Sequence, residues 1–375
     1  MNEITIIKVK KKKDIKRFIT FPFSLYEGNE CWTPPLISEE IDFFNPVKNP
    51  YYDHSEVQPF MAERGGRIVG RLTAQTNKQH NVFHRDKVGF FGFFECINDP
   101  EVSKRLFDRA AAWLRERGCD SVRGPLNLSV NDQCGLLVDG FSTPSFIMMP
   151  YNPDYYEELI TGYGFRKCKD LFAYYMASEK MPERLQRFAD IITRKEEIKI
   201  RSLSKDKKRL KSELETIFTL YRGAWEHNWG FVPMTGKEYD HIVKTLLPVV
   251  DPDLVFIAYY GDKPVGFSVA LPDYNVILRK LKGHILPFGF ILALYYKNRI
   301  KRLRVLLMGL LKDYQKRGID GLFYYYTTKN GFEKGFNEGE FSWVLEDNIE
   351  MNNVARKLGA RVHKTYRIFE KSLKS

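Results

Sequence analysis

The sequence predicts a mixed α/β architecture, with strands and helices alternating in a mixed sheet covered by helices and the whole pattern laid down twice. Three observations predict it. The length of 375 residues exceeds one small α/β domain and suits two, because domain sizes cluster at roughly 100 to 150 residues. Residues 60–70 (FMAERGGRIVG) align without a gap on residues 256–266 (FIAYYGDKPVG), an offset of 196. A second pair of blocks, residues 152–165 and 348–360, returns at nearly the same offset, each an Asn, an amphipathic helix and a Gly able to end it.

Taken in order, the first half opens with a strand at 4–10 and a helix at 12–26. The 60–70 block then reads as a hairpin turning at Gly65-Gly66. A strand at 87–96, a strongly periodic helix at 102–117 and a strand at 120–125 follow. A polar, turn-rich insert at 126–150 precedes the helix of block 152–165 and a β-rich tail at 166–176. A linking helix at 182–197 leads to the second half. There the pattern is a strand at 198–203, helix from 205 to 228, the hairpin of 256–266, an insert at 273–301, a strand at 304–311, a helix from about 315, and a strand at 340–345. Helix and tail (361–371) close the chain. The domains are therefore expected at 1–180 and 181–375, each in the order β-α-β-β-β-α-β-α-β.

With 43% hydrophobic and 28% charged residues, the composition is that of a globular protein and excludes a disordered chain, a fibre or a multi-span membrane protein. Lys and Arg number 59 against 47 Asp and Glu, a net charge of +12, which favours anionic partners. Five scattered cysteines without a C-x-x-C pair argue against a disulfide framework and a zinc site, so no metal is expected. No apolar segment with a cleavage site opens the chain, which points to the cytoplasm. The apolar run 285–296 (ILPFGFILALYY), with basic residues on both sides, is shorter than the ~20 residues of a spanning helix. It suits a core helix, a lid over an acyl chain, or a peripheral membrane contact.

The stretch 304–322 carries the chemistry. An apolar strand runs into a turn that opens a helix at Gln315-Lys316-Arg317-Gly318-Ile319. Free N–H groups and the positive end of a helix dipole make such a junction an anion site, and Gly318 lets a phosphate approach the backbone. This strand, Q-x-x-G-x, helix sequence resembles the coenzyme A pyrophosphate loop of the GNAT superfamily, and the element order resembles the GNAT fold in each half. Asp320 departs from the small residue of the motif, with Gly321 one place late; residues 96–103 (CINDPEVS) have no such motif.

The resemblance implies two tandem GNAT-like folds, the N-terminal one degenerate, and transfer of an acyl group from acetyl-CoA or a longer acyl-CoA to a small-molecule or peptide amine. It implies that backbone N–H groups of Met308, Gly309 and Leu310 hold the thioester carbonyl and that Asn348 assists the cofactor. Glu340 is the expected base and Tyr366 the expected acid, ahead of Tyr325 and Tyr326. Asn228 and Trp229 are expected to line the acceptor pocket. Two alternatives stay open: a GNAT-fold binding module without catalysis, and a Fem-like transferase using aminoacyl-tRNA. For the last, no interleaved basic-aromatic nucleic-acid motif is present.

Overall fold

The computed structural model describes residues 3–195, 197–226, 228–285 and 289–374. The chain forms two compact units that are not contiguous stretches of sequence. The first comprises Met1–Leu171, Asn275–Tyr296 and Lys364–Ser375, the second Phe172–Tyr274 and Lys297–His363.

Elements of the first half are β1 (Ile4–Lys8), α1 (Lys12–Leu25), α2 (Ile37–Phe43), β2 (Ser55–Arg64), β3 (Arg67–Asn77), α3 (Lys78–His84), β4 (Val88–Cys96), α4 (Pro100–Arg115), β5 (Ser121–Gly124), the short strands β6 (Leu126–Asn127), β7 (Gln133–Cys134) and β8 (Leu136–Asp139), α5 (Tyr156–Gly162) and β9 (Arg166–Ala177). The second half holds α6 (Glu183–Lys195), β10 (Ile198–Ser202), α7 (Lys207–Trp225), α8 (Gly236–Leu246), β11 (Val255–Tyr260), β12 (Lys263–Pro272), α9 (Asn275–Leu281), α10 (Gly289–Lys297), β13 (Arg302–Leu310), α11 (Ile319–Glu333), β14 (Glu338–Leu345), α12 (Ile349–Lys357) and β15 (Arg361–Ser372).

In the first unit the strands run β1-β2-β3-β4-β5-β15, with β8 also paired to β15. In the second they run β9-β14-β13-β12-β11-β10. Antiparallel hairpins form one side of each sheet, and a parallel pair stands in each: β4 with β5 and β13 with β14. A parallel pair needs a crossover, and α4 and α11 supply it.

Local chemistry explains the boundaries. In α4 the Asp99 side chain accepts from the N–H groups of Glu101 and Val102, Pro100 takes the first turn, and Val102, Leu106, Phe107, Ala110, Trp113 and Leu114 bury one face. A capping box of Thr235 and Glu238 starts α8. The helix expected from about residue 315 begins later, at Ile319. Lys316 and Gly318 stand at φ +64° and +80°, a left-handed conformation that no α-helix continues through. The polar insert 126–150 is turn-rich, carrying three two- to four-residue strands. Of the apolar run 285–296, residues 286–288 lie outside the described residues.

Candidate functional site in the C-terminal unit and its counterpart

Strands β13 and β14 pair in parallel from Arg302↔Glu338 to Val305↔Phe341, and there the pairing ends. On the other side of β13 the ladder to β12 continues to Gly266↔Leu310, with a bulge between Val269 and Ala270. A bulge bends its strand and re-aims the groups beyond it. From Leu306 onward, β13 thus carries the expected carbonyl-holding stretch Met308, Gly309 and Leu310 along an opening between two strands. Gly309 is needed there, because a Cβ would stand 2.7 Å from Phe267 and 3.1 Å from Trp225 Nε1. The Trp225 indole also donates to the Met308 carbonyl at 3.3 Å.

Past Leu310, the turn runs through Gln315 and Lys316 to Gly318, the N-cap of α11, which has no side chain to cap the first turn; the acid of that turn is Asp320. Gln315 Nε2 reaches the Leu310 carbonyl at 3.4 Å. The Lys316 ammonium lies 2.9 Å from Glu350 on the surface, and the Arg317 guanidinium lies over Tyr260 and Tyr314. Ile319 is fully buried and anchors the helix start. Burial pushes the Asp320 carboxyl above its ordinary range, while its own and the Gly321 N–H pull the other way. Gly321 has a packing cause: a Cβ there would meet the Phe188 ring of α6 at 2.2 Å.

Glu340 is fully buried. His363 Nε2 lies 2.7 Å from its Oε2, and the Ser342 hydroxyl donates to its Oε1. Arg304, in register with Glu340, donates through Nε to Ser342 Oγ at 2.7 Å and through Nη2 to the Ser342 carbonyl at 3.0 Å. The His363 side chain is 13% exposed, and its ring packs on Tyr175 at 5.2 Å. The result is a carboxylate–imidazole pair held by a second layer of hydrogen bonds, an arrangement suited to moving a proton. His363 was not singled out by sequence reasoning.

Other expected residues are placed differently. Tyr366 is buried in the first unit, on β15 opposite Leu137, its hydroxyl 3.3 Å from Ser145 Oγ. Glu340, by contrast, belongs to the second unit. Asn348 caps α12, accepting from Met351 N–H at 3.1 Å. Asn228 is exposed and Trp229 half-buried in the turn after α7.

In the first unit the matching features are closed. The Asp99 carboxylate occupies the first turn of α4. The parallel pairing of β4 and β5 also stops, at Phe90↔Arg123, but Asn127 fills the opening, its Oδ1 accepting from Phe93 N–H at 2.8 Å. Gly92 is forced by the same insertion, since a Cβ would stand 1.8 Å from the Leu126 carbonyl.

Beside this filled opening lies a cavity of about 130 Å³. Glu95 from β4, Arg71 from β3 and Glu40 from α2 line it, together with Trp32, Phe93 and Tyr151. Tyr26 and Tyr156 each donate to Glu95 Oε2 at 2.8 Å, and Arg71 Nη2 lies 3.7 Å from Oε1. Burial raises the Glu95 carboxyl despite Arg71 and the two phenols, and it raises Glu40 to about 7.

Among the described residues no helix is long and apolar enough to cross a membrane, and no group of three His, Cys, Asp or Glu could hold a metal.

Comparison with known proteins finds no matching family model. Two curated proteins match over almost their whole length. "Bacterial ceramide synthase" of Caulobacter vibrioides is 36% identical over 380 residues, covering 99% of this chain and 98% of its own. "Protein YghO" of Escherichia coli is 34% identical over 370 residues, covering 96% and 94%. Among solved structures, a tandem GNAT protein from the clavulanic acid biosynthesis pathway superposes with a TM-score of 0.59 at 8% identity, over 100% of this chain and 99% of that one. A GCN5-related N-acetyltransferase from Sphaerobacter thermophilus gives 0.54 at 11% identity, over 99% and 96%. These structures show the fold: two tandem GNAT folds.

Proposed function

The chain belongs to the tandem GNAT group that includes the bacterial ceramide synthase and YghO, and from that membership we propose that it is an N-acyltransferase whose C-terminal unit is catalytic. The donor is a fatty acyl-CoA and the acceptor a long-chain amino alcohol, because a ceramide is such a base acylated on nitrogen. One observation supports the choice of unit above the others: the β13–β14 pairing ends at Val305↔Phe341 and α11 starts at a glycine N-cap, whereas in the first unit Asn127 accepts from the strand N–H and the N-cap Asp99 accepts from the helix N–H groups.

In this reading the pyrophosphate sits against the start of α11, where the N-cap Gly318 has no side chain and N–H groups and the helix dipole favour an anion, and the Asp320 carboxyl on the Asp320 and Gly321 N–H groups gives way or stays protonated. Lys316 and Arg317 add surface charge, and the left-handed Gly318 keeps the backbone close. Backbone N–H groups of Met308 to Leu310 polarise the thioester carbonyl. The acceptor ammonium loses one proton to the Glu340–His363 pair; its nitrogen then bonds to the acyl carbon, the C–S bond breaks, and the nitrogen's second surplus proton passes to the departing thiolate, leaving an amide and a free thiol. Burial of Glu340 under Ser342 and His363 makes it a partner of the imidazole rather than a group that meets the amine itself.

The apolar run fits a lipid substrate. Ile285, Ile291, Leu294 and Tyr295 are exposed, and exposed Lys280, Lys282 and Lys297 flank them, the pattern of a surface that rests on anionic lipid.

The test is direct: purified full-length chain, palmitoyl-CoA, acetyl-CoA and sphinganine, with the amide product followed by mass spectrometry. An N-acyl product with the fatty donor is expected; no amide with either donor and a panel of amines would overturn the reading. Ile291→Ser with Leu294→Ser is expected to slow turnover of vesicle-borne sphinganine severalfold and leave a detergent-solubilised substrate unaffected.

A further inference from the structure

The first unit, closed at its cofactor position, keeps a polar cavity that the acyl-transfer site does not use. Its charge balances only while one carboxyl keeps its proton. Two carboxyls, Glu40 and Glu95, face one guanidinium, Arg71, so the fully ionised cluster is short of one positive charge. The orphaned donors complete the picture. Arg71 is 7% exposed, and its Nη1 donates to the Phe18 carbonyl at 2.7 Å. Its Nε is buried without a hydrogen-bond partner, as is the hydroxyl of Thr33 on the same cavity wall. Buried polar groups left unpaired cost free energy, and those in native structures call for an explanation. The wall also carries Trp32, stacked on Tyr26 at 4.8 Å, and aromatic faces attract cations.

We propose that this cavity binds a primary ammonium with an adjacent hydroxyl, the head group of an amino alcohol. The ammonium donates to Glu95 Oε1 and Glu40, and the hydroxyl oxygen accepts from Arg71 Nε or Thr33. The volume suits a compact head group, with a long chain leaving through the mouth. Identification of the ligand with the acceptor class rests on the proposed function; the charge and hydrogen-bond deficit does not.

A proton follows the ligand. Burial holds a proton on Glu40 near neutrality, with Glu39 and Asp132 reinforcing this and Arg71 opposing it. Glu95 is governed in the same way by burial against Arg71, Tyr26 and Tyr156. An arriving ammonium favours both carboxylates, so binding at neutral pH releases protons.

The experiment is calorimetric titration of the full chain, without acyl-CoA, using sphinganine in detergent, an alkylamine of equal length without hydroxyls, and the corresponding alcohol without the amine. Sphinganine is expected to bind with proton release, seen as a dependence of the heat on buffer ionisation enthalpy. The alkylamine should bind more weakly, and the alcohol not at all. Glu95→Gln and Glu40→Gln should each weaken sphinganine binding about tenfold or more, and Glu40→Gln, on a half-buried helix residue, is the variant that keeps the fold intact. Alcohol binding equal to that of the amine, or both variants binding like wild type, would overturn the proposal. If those variants bind sphinganine like wild type while wild type acylates it, the cavity assignment falls and the acyltransferase stands. If no amine is acylated but the cavity binds as described, the acyltransferase falls and the cavity stands.

Discussion

Two junctions at equivalent places in the two units differ in who occupies them. After β4, the chain enters α4 through Asp99, whose carboxylate accepts from the first helical N–H groups. After β13, it enters α11 through Gly318 at φ +80°, with no side-chain cap. The neighbouring strand openings differ in the same sense, Asn127 taking the Phe93 N–H in one and the ladder simply ending at Val305↔Phe341 in the other. A duplicated fold therefore need not lose a site by decay. In the first unit a carboxylate stands at the helix start and a side-chain amide at the strand opening, so the backbone donors are satisfied from within; in the proposed function these are the places of a phosphate and of a thioester or pantetheine amide.

The largest effect should come from the proton-handling pair. His363→Ala and Glu340→Gln are expected to lower kcat about 10²- to 10⁴-fold with little change in the KM for acyl-CoA; retention of kcat in both would remove the pair from the mechanism. Next is the open turn. Gly318→Arg places a side chain on a left-handed residue whose Cβ would already stand 2.8 Å from Phe188 and 3.0 Å from Ile192, and it should abolish acyl-CoA binding. Circular dichroism would distinguish this from unfolding, and Lys316→Ala offers a milder companion, raising KM a fewfold and lessening its salt dependence.

The converse change sharpens the contrast. Asp99→Ala should cost about 1 kcal/mol of stability through loss of the cap and leave acyl-CoA affinity unchanged. The smallest effect is a slope. The folded Glu40 carboxyl is raised to about 7, so the native state binds more protons than the unfolded chain between its ordinary range and neutrality. Stability then falls as pH rises across that window. Glu40→Gln should flatten the fall and raise the melting temperature at pH 8 by about 2–4 °C, with no gain at acidic pH.

Much of the fold was legible because the signals are local: the 196-residue offset, the periodic face of α4, the Gly residues at turns. The left-handed Gly318 at the head of α11 was legible too, since Q-x-x-G reports a backbone requirement that only particular residues meet, although the helix starts at Ile319 and not near Gln315. What was not legible depends on which strands meet. His363 lies 23 positions from Glu340, and nothing in its surroundings marks it before β14 and β15 are placed. Ser342 could have been noticed, since alternation puts it on the face of Glu340 along one strand. The cavity left one faint trace: Glu95 is the lone charge of VGFFGFFEC, residues 88–96, in a strand otherwise written for burial. Arg71, Glu40 and Tyr26 join it only through tertiary packing. Tyr366, expected from a family position chosen by sequence order, lies in the other unit from Glu340, because β15 from Lys364 onward belongs to the first unit.

The central claim, one open and one self-occupied copy, is tested most directly by counting. Titration of the full chain with a non-hydrolysable thioether analogue of palmitoyl-CoA should give one site per chain, lost in Gly318→Arg and unchanged in Asp99→Ala. Two sites per chain, or one that survives Gly318→Arg and disappears in Asp99→Ala, would contradict it.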